Sequence, residues 1–291
     1  MPEIQAVKNE SAGKKVGNTI LGIFLNVLMW VFSLSCIFPL IWMGYSSLKQ
    51  KRDFNKDIFS LPSEPSLSNY QRILSNPDYN IASSMWNSAR TTVISVFLIV
   101  ICAFIVGYIL SRCSFKLNRP LYIMFLMGML IPVHSLMVPI YIIFSRANLL
   151  NKWYTLLMPY LCFNLPVSLF LVEGYVKGIP TALEEAAAID GCSFTRSMFS
   201  IILPICKPIL TTVAIINVFG CWNEFSFALV LMNDVNLQTV PLALTQFKGQ
   251  FASDYPKQMA AMLITMAPIV ILYFMFNGQI IKGMVAGAVK G

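Results

Sequence analysis

Long apolar stretches separated by polar segments dominate the pattern of this sequence. A helix needs about 20 mostly apolar residues to cross the hydrocarbon core of a bilayer. Six stretches are long enough, and each is expected to form a transmembrane helix. They lie at about residues 20–45, 90–111, 121–145, 154–174, 208–232 and 259–281. The pattern therefore predicts an all-α, polytopic membrane protein with six spans.

The composition agrees with this prediction. Of the 291 residues, 57% are hydrophobic and only 12% are charged, whereas a soluble domain carries about 25% charged residues. The net charge of +8 does not indicate nucleic-acid binding, because the basic residues lie mostly beside the apolar stretches, as in a protein oriented in a bilayer. The seven cysteines have no CxxC spacing, so we expect free thiols and no metal site.

Basic residues near the ends of the spans predict the orientation. The N-terminal segment and the connector between the second and third spans are both basic, and that connector contains no acid. Because short cytoplasmic segments carry an excess of lysine and arginine, both are placed in the cytoplasm, and the C-terminus follows. The basic residues concerned are Lys8, Lys14, Lys15, Arg112, Lys116 and Arg119.

The polar stretch LEEAAAIDGCSFTRSMFSIILP, residues 183–204, interrupts the apolar pattern between the fourth and fifth spans. Thr181 and Glu184 have the spacing of a capping box, in which each side chain bonds the other's backbone N–H at the start of a helix. Glu185 has no capping role in that arrangement. It is therefore expected to be available for another contact.

The first short helix of this stretch has two predicted faces. At 100° per residue, Ile179, Leu183 and Ala186 share one stripe, which is expected to rest on the membrane domain. Ala187 and Ala188 lie on the opposite surface. Their small side chains would let another protein approach the backbone closely.

A turn and a second short helix are predicted to follow. Gly191 can take the left-handed conformation that ends a helix, and Ser193 can cap a helix over 194–203. Pro204 and Pro208 are expected to end it. The stretch then forms a helix-turn-helix on the cytoplasmic side; the alternative is a plain polar connector whose alanines serve helix propensity.

The same stretch resembles the EAA motif of permease subunits of ABC importers. In that family the two short helices dock into a cleft of the ATP-hydrolysing subunit, so the resemblance implies an ATPase-coupling site. Cys192 departs from the pattern, because an alanine commonly follows the glycine. The matching residues are Glu185, Ala186, Ala187, Gly191, Ile201, Leu203 and Pro204.

Other segments extend the resemblance over most of residues 85–291. The fifth-span signature of maltose-type sugar permeases is resembled by the run WNEF, 222–225. Their third span is resembled, in its prolines, by IPVHSLMVPIY, 131–141. Their C-terminal tail is resembled by the ending KGMVAGAVKG, 282–291. The resemblance implies a MalG-like permease subunit of a carbohydrate importer, with a MetI-like type I transmembrane domain. Oligosaccharides are the implied solutes, although importers of polyols and glycerol phosphate share these motifs.

The resemblance also implies an organisation and a set of partners. The expected segments are a cytoplasmic N-terminus at 1–19, a first span at 20–45, an extracytoplasmic loop at 46–89, an importer core at 85–282 with coupling helices at 179–204, and a cytoplasmic tail at 283–291. Expected partners are a second homologous permease, two copies of an ABC ATPase, an extracytoplasmic solute-binding protein and the lipid of a bacterial cell membrane. ATP and Mg²⁺ would be used by the ATPase, since this chain has no phosphate-binding loop pattern. It is therefore not expected to bind a cofactor or to be an enzyme.

Polar residues within the spans are candidates for the solute path. Asn223 and Glu224 would pair with sugar hydroxyl groups, or instead satisfy each other or tie the fifth span to a neighbouring helix. Trp222 would stack on a sugar or lie at the membrane interface. His134, between two prolines that bend the third span, would satisfy a freed carbonyl or bind sugar, and Asn164 is a further polar companion.

Two other functional classes are considered. A self-sufficient secondary transporter or channel would need an inverted repeat and intramembrane ligands for a coupling ion. A polytopic membrane enzyme would need a cluster of polar catalytic groups at one membrane face. The sequence contains neither signal, so the importer permease is the preferred function.

Overall fold

The structure, a computed structural model, describes the backbone of residues 2–75, 80–245 and 254–288 and the side chains of residues 19, 21–75, 80–245 and 254–278. The outermost parts of the predicted cytoplasmic ends, residue 1 and residues 289–291, lie outside the described chain. The described residues form helices, turns and irregular segments with no β-strand. This confirms the predicted all-α class.

The helices follow one another along the chain. The first group is α1 (Pro2–Ser46), α2 (Lys51–Lys56), α3 (Ser68–Ser75), α4 (Ile81–Arg112), α5 (Asn118–Gly128), a 3₁₀ turn (Val133–Leu136), α6 (Met137–Arg146) and α7 (Leu157–Lys177). The second group is α8 (Ala182–Ile189), α9 (Phe194–Ser197), a π-helical turn (Met198–Ile202), α10 (Leu203–Ile205), α11 (Lys207–Trp222), α12 (Ser226–Leu231), a 3₁₀ turn (Val235–Leu237), α13 (Val240–Ala243) and α14 (Tyr255–Ala288).

The described helices contain six candidate membrane spans. Four are single helical segments: Leu21–Ser46, Ile81–Arg112, Leu157–Lys177 and Tyr255–Gly278. Two more are bent pairs of helices, Asn118–Gly128 with Val133–Arg146 and Phe194–Ile205 with Lys207–Trp222. Counting each pair as one span gives six, the number that the apolar pattern predicts, but the second pair begins at Phe194 and so includes the second short helix of the polar stretch.

The third span is broken into two helices, whereas the sequence predicts one bent helix. Its two halves, α5 and the segment Val133–Arg146, meet at an angle of 93°. Pro132 lies at the break with an extended ψ of 113°. Its ring removes a backbone donor and disfavours the helical conformation of Ile131 before it. The prolines of this span therefore bend it, as the sequence predicts, and separate it into two helices.

The fifth span is also shorter than predicted. α11 ends at Trp222, and a separate helix, α12, begins at Ser226. The predicted continuous helix over 208–232 is therefore wrong. The second span, in contrast, extends further than predicted, since α4 begins at Ile81 inside the expected loop 46–89.

The core of the larger compact unit, Arg72–Ser253 with Ile264–Gly291, lies among α4, α7 and α11. Gly107 of α4 lets α7 approach closely: a Cβ at this glycine would lie 3.2 Å from the backbone N of Glu173. Small residues bring membrane helices together in this way. One apolar cluster fills the side next to α9 and α10, and another fills the side next to α12. The fully buried residues of the first are Ala103, Val172, Val176, Ile202, Cys206 and Val213.

The smaller compact unit consists of Met1–Gln71 and Asp254–Leu263. In it Lys49 is buried and donates from Nζ to the carbonyl oxygens of Asp57 at 3.0 Å and Ile58 at 3.2 Å. These bonds satisfy an ammonium group that would otherwise be costly to bury. They also fix the polar segment after α1, which contains α2 and α3 where the sequence suggests an open loop.

Candidate functional site

The turn between the two short helices is the first feature of the polar stretch. Gly191 has a φ of +77°, which confirms the predicted left-handed conformation. Its N–H donates to the carbonyl of Ala188 at 3.0 Å, and the N–H of Cys192 donates to that of Ala187 at 2.9 Å. These two bonds are those of a Schellman motif, in which glycine is favoured because it has no Cβ to clash. The turn therefore follows from local chemistry.

The second short helix begins where the sequence predicts but continues further. Oγ of Ser193 accepts the N–H of Arg196 at 3.4 Å, which confirms the predicted cap. The helix does not end at Pro204. It passes through the π-helical turn, where Leu203 donates to the carbonyl of Met198, and reaches Ile205. Pro204 has no N–H to donate, but it lies in the first turn of α10, where a proline is tolerated.

The capping box predicted at the start of α8 is absent. Thr181 has helical backbone angles, and its side chain makes no capping bond to any residue that the structure describes. Glu184 turns toward α4 instead: Oε1 accepts the O–H of Tyr108 at 2.5 Å, and Oε2 lies 2.6 Å from Nε of Arg112. The ion pair with Arg112 and the hydrogen bond from Tyr108, both on α4, hold the carboxylate away from the cap position.

The orientation of α8 differs from the prediction for the same reason. Since Glu184 faces α4, Ala187 three residues later lies on the same side and is buried. Leu183 is 45% exposed, and Ala186 is exposed. The predicted assignment of Leu183 and Ala186 to the membrane domain, and of Ala187 to the open surface, is therefore wrong.

The seven residues of the EAA pattern form two groups in space. Glu185, Ala186 and Gly191 are exposed on α8 and its turn, and Ile189 beside them is 87% exposed. The other group packs on or lies near the membrane helices. It consists of Ala187, which is buried, Ile201 and Leu203, which pack partly buried against the core, and Pro204, which is exposed at α10.

Glu224, a candidate path residue, makes its contacts within the fold. Its Oε1 accepts the N–H of Phe227 at 2.7 Å, and its Oε2 accepts the N–H of Ala228 at 3.3 Å and the O–H of Tyr160 at 3.1 Å. The carboxylate thus starts α12 and ties this region to α7. Of the alternatives predicted for Glu224, the tie to a neighbouring helix is the one observed.

The other candidate path residues do not form one cluster of contacts. Trp222 is buried, so its ring offers no open face for stacking on a sugar and is not exposed at an interface. Asn223 is exposed and donates to the carbonyl of Phe219 at 3.0 Å. Asn164 is partly buried and donates to the carbonyl of Tyr160 at 2.8 Å.

His134 lies in the 3₁₀ turn at the break of the third span. Its side chain is exposed and makes no hydrogen bond within the part of the chain that the structure describes. The predicted bond to a freed carbonyl is therefore not observed. The break at Pro132 therefore forms without a hydrogen bond from the imidazole.

Comparison of the sequence with known protein families identifies the family of this chain. Residues 99–285, which include α7 to α12 and the EAA pattern, match the family of binding-protein-dependent transport system inner membrane components. The chain belongs to this family.

Relatives and a solved structure agree with the family. A protein of Caldicellulosiruptor sp. (strain Rt8B.4), provisionally named as an ABC transporter permease, is 36% identical over 91% of this chain and 96% of its own length. A multiple sugar-binding transport system permease protein of Streptococcus mutans is 33% identical over 91% and 95%. The fold resembles a chain in the crystal structure of a bacterial ABC transporter involved in the import of the acidic polysaccharide alginate, with a TM-score of 0.80, 22% identity and coverage of 90% and 97%.

As a member of this family, the chain is a multi-pass membrane subunit of a transport system.

Several polar contacts in the structure are not evident from the sequence motifs. Tyr108 and Arg112 hold α8 although they lie about 70 residues before it. Their spacing of four at the end of a span, which puts them on one helix face, is the available signal. Asn217, deep in α11, donates to Oγ of Ser168 at 2.9 Å.

Glu173 is a further acid inside a predicted span that the sequence interpretation missed. It is buried in α7 and forms an ion pair with Lys177, one helical turn later. The ammonium group of Lys177 lies 5.3 Å from the ring centre of Tyr122 on α5. The i,i+4 spacing of an acid and a base is the signal that would have revealed this pair.

Proposed function

We propose that this chain is the transmembrane permease subunit of an ATP-driven ABC importer that takes up a sugar, most specifically an oligosaccharide. It would form the translocation path with a second homologous permease and receive its solute from an extracytoplasmic binding protein. Two copies of an ABC ATPase would drive the cycle with ATP and Mg²⁺. The N- and C-termini lie in the cytoplasm in this proposal.

The observation that carries the proposal is the exposed group on α8 and its turn, within a chain of this importer family. Glu185, Ala186, Gly191 and Ile189 are exposed on this short helix and its turn, and two of the four, Ala186 and Gly191, have little or no side chain. Such a surface suits insertion into a groove of another protein, because small residues let backbones approach closely. The packing of Ile201 and Leu203 against the core supports a transmission role for the second short helix.

The solute class rests on the relatives. The Streptococcus mutans protein is named for sugars, and a solute of that kind needs donors and acceptors for its hydroxyl groups. Asn223 and His134, both exposed, and the partly buried Asn164 remain the residues proposed to line the path. Trp222 and Glu224 are proposed to support the residues of the path and not to line it, since the side chain of Trp222 is buried and that of Glu224 bonds to groups within the fold.

The contacts of Glu224 do not favour the secondary transporter. A coupling-ion site needs a carboxylate that binds and releases an ion in each cycle. Both oxygens of Glu224 accept backbone N–H groups at the start of α12. Releasing them would disrupt that helix start, so this carboxylate suits a structural role better than an ion-binding one.

Reconstitution tests the proposed function. The chain is purified from its native membrane with its co-purifying subunits, and these are identified by mass spectrometry. The complex is then placed in proteoliposomes that are loaded with ATP and Mg²⁺, and uptake of labelled oligosaccharides is measured with the binding protein outside. We expect uptake to require ATP, the ATPase and the binding protein. Uptake by the purified chain alone, driven by a proton or sodium gradient, would refute the proposal.

A further inference from the structure

Three residues from two distant parts of the chain meet at the start of α8. Tyr108 and Arg112 lie one turn apart at the end of α4, and both contact the carboxylate of Glu184, at 2.5 Å and 2.6 Å. Arg112 also donates from Nη2 to the carbonyl of Ile179 at 2.7 Å, in the linker between α7 and α8. We call these three residues, Tyr108, Arg112 and Glu184, the α4–α8 clamp.

The clamp is shielded from water. The side chains of Arg112 and Glu184 are 10% and 16% exposed, and Tyr108 is 1% exposed. Charges in such a site are screened little by solvent and salt, so the attraction between the two side chains is stronger than on an exposed surface. Removing one charged partner leaves the other in a poorly solvated position, which is strongly unfavourable.

Apolar packing cannot hold α8 in place by itself. Ala187 is the single buried residue among the eight of α8 in the described structure. A methyl group contributes little burial energy compared with a leucine or phenylalanine side chain. The clamp is therefore the main contact between α8 and α4. The ring contact of Tyr108 and Phe194, at 5.3 Å between ring centres, joins α4 to the next helix, α9.

We propose that the α4–α8 clamp makes α8 and the second span move as one body, so that displacement of α8 by the ATPase is transmitted to the membrane helices. The proposal rests on the proposed function and adds positioning residues to it. It gives the two adjacent acids different roles. Glu185, exposed, faces the partner; Glu184, held by Arg112, faces its own membrane domain.

The test measures coupling separately from assembly. Glu184→Gln and Arg112→Gln are introduced into the whole importer complex, and ATPase content, ATP hydrolysis and solute uptake are measured in proteoliposomes. We expect the ATPase to remain bound and active, while the ratio of solute imported to ATP hydrolysed falls about tenfold or more, within the usual range of coupling between sites. Arg119→Gln is the matched control, because Arg119 is an exposed arginine on the same side outside the clamp.

Two further variants keep the test decisive if a single charge loss impairs folding. Tyr108→Phe keeps the ring and removes only the donor, so we expect a smaller fall in the same ratio. The exchanged pair Arg112→Glu with Glu184→Arg should restore part of the ratio, which a purely local structural role for either residue would not produce.

Two results would overturn the clamp. A ratio in Glu184→Gln equal to that of the unaltered complex would refute transmission while leaving the proposed function intact. Loss of the ATPase from Glu184→Gln, with the membrane domain still folded, would place Glu184 in the docking surface instead. Failure of the unaltered complex to couple ATP hydrolysis to uptake would refute the proposed function itself.

Discussion

The carboxylate of Glu224 accepts the backbone N–H of Phe227 at 2.7 Å, at the point where the fifth span stops and α12 starts. Its second oxygen accepts from Ala228 and from the phenol of Tyr160 on α7. One acidic side chain thus starts a helix and joins it to a neighbour. This contact explains why an acid is tolerated beside an apolar helix: its lone pairs are satisfied by donors within the protein.

Replacing Glu224 should therefore lower stability. Glu224→Ala removes the acceptor for two backbone N–H groups and a buried phenol, and leaving such donors unsatisfied costs about 1–3 kcal/mol. We expect a lower thermal unfolding temperature for the purified protein in detergent. Asn223→Ala is the control, since Asn223 is exposed and bonds only to a carbonyl of its own helix. Equal effects of the two substitutions would contradict this role.

The residues tolerated at position 191 should be those whose backbone readily adopts a positive φ. No atom lies within 4 Å of a Cβ built at this residue, so the positive φ alone limits the choice. Gly191→Asn should keep transport, because asparagine adopts the left-handed region readily. Gly191→Val should impair it, because that conformation costs other residues about 1–2 kcal/mol.

Gly191→Pro should abolish solute uptake, because proline cannot take the φ and also lacks the N–H that bonds Ala188. Membrane insertion should persist in this variant. The check is solute uptake beside the amount of protein in the membrane for each substitution. Normal uptake in Gly191→Pro would remove the turn from the coupling site.

The exposed acid Glu185 should govern binding of the ATPase. Glu185→Lys replaces attraction by repulsion at the proposed interface, which typically costs about 2–5 kcal/mol, on the order of thirtyfold or more in affinity. We expect loss of the ATPase from the purified complex, measured as subunit stoichiometry. Glu64→Lys makes the same change of charge at an exposed acid in the polar segment after α1, and it should retain the ATPase. Full assembly in Glu185→Lys would place the docking surface elsewhere.

The bond from Asn217 to Ser168 should contribute modestly to packing of α11 on α7. Side-chain hydrogen bonds between membrane helices contribute about 0.6 kcal/mol on average, and up to about 1.7 kcal/mol. A double-mutant cycle of Asn217→Val and Ser168→Ala, measured by unfolding in detergent, should give a coupling energy in that range. A value near zero would show that the 2.9 Å contact does not hold the helices together.

The orientation can be tested by labelling single cysteines in a background without the native seven. Lys116→Cys lies on the connector between α4 and α5, which the proposal places in the cytoplasm, and the native residue is exposed. It should react with a membrane-impermeant thiol reagent only in inverted vesicles. Glu64→Cys should react only in intact cells, since the proposal places residues 46–89 outside. The opposite pattern would reverse the orientation of every loop.

Much of this architecture is determined by local sequence. The apolar stretches predict the number of spans, because crossing a bilayer requires backbone bonds satisfied within a long apolar helix. The sequence also predicts the left-handed turn at Gly191 and the helix cap at Ser193, because each depends on a few adjacent residues. The prolines of the third span likewise predict its bend, since the effect of a proline on the preceding residue is local.

Tertiary structure decided the rest. Local spacing predicts that Glu184 forms a cap with Thr181, but folding brings Nε of Arg112 to 2.6 Å and the hydroxyl of Tyr108 to 2.5 Å from its carboxylate. The contact of Glu184 with α4 sets the rotation of α8 about its own axis, so that Ala187 is buried and Leu183 is exposed. No periodicity contains such information, because the partner of a side chain is fixed only when helices distant in sequence pack together.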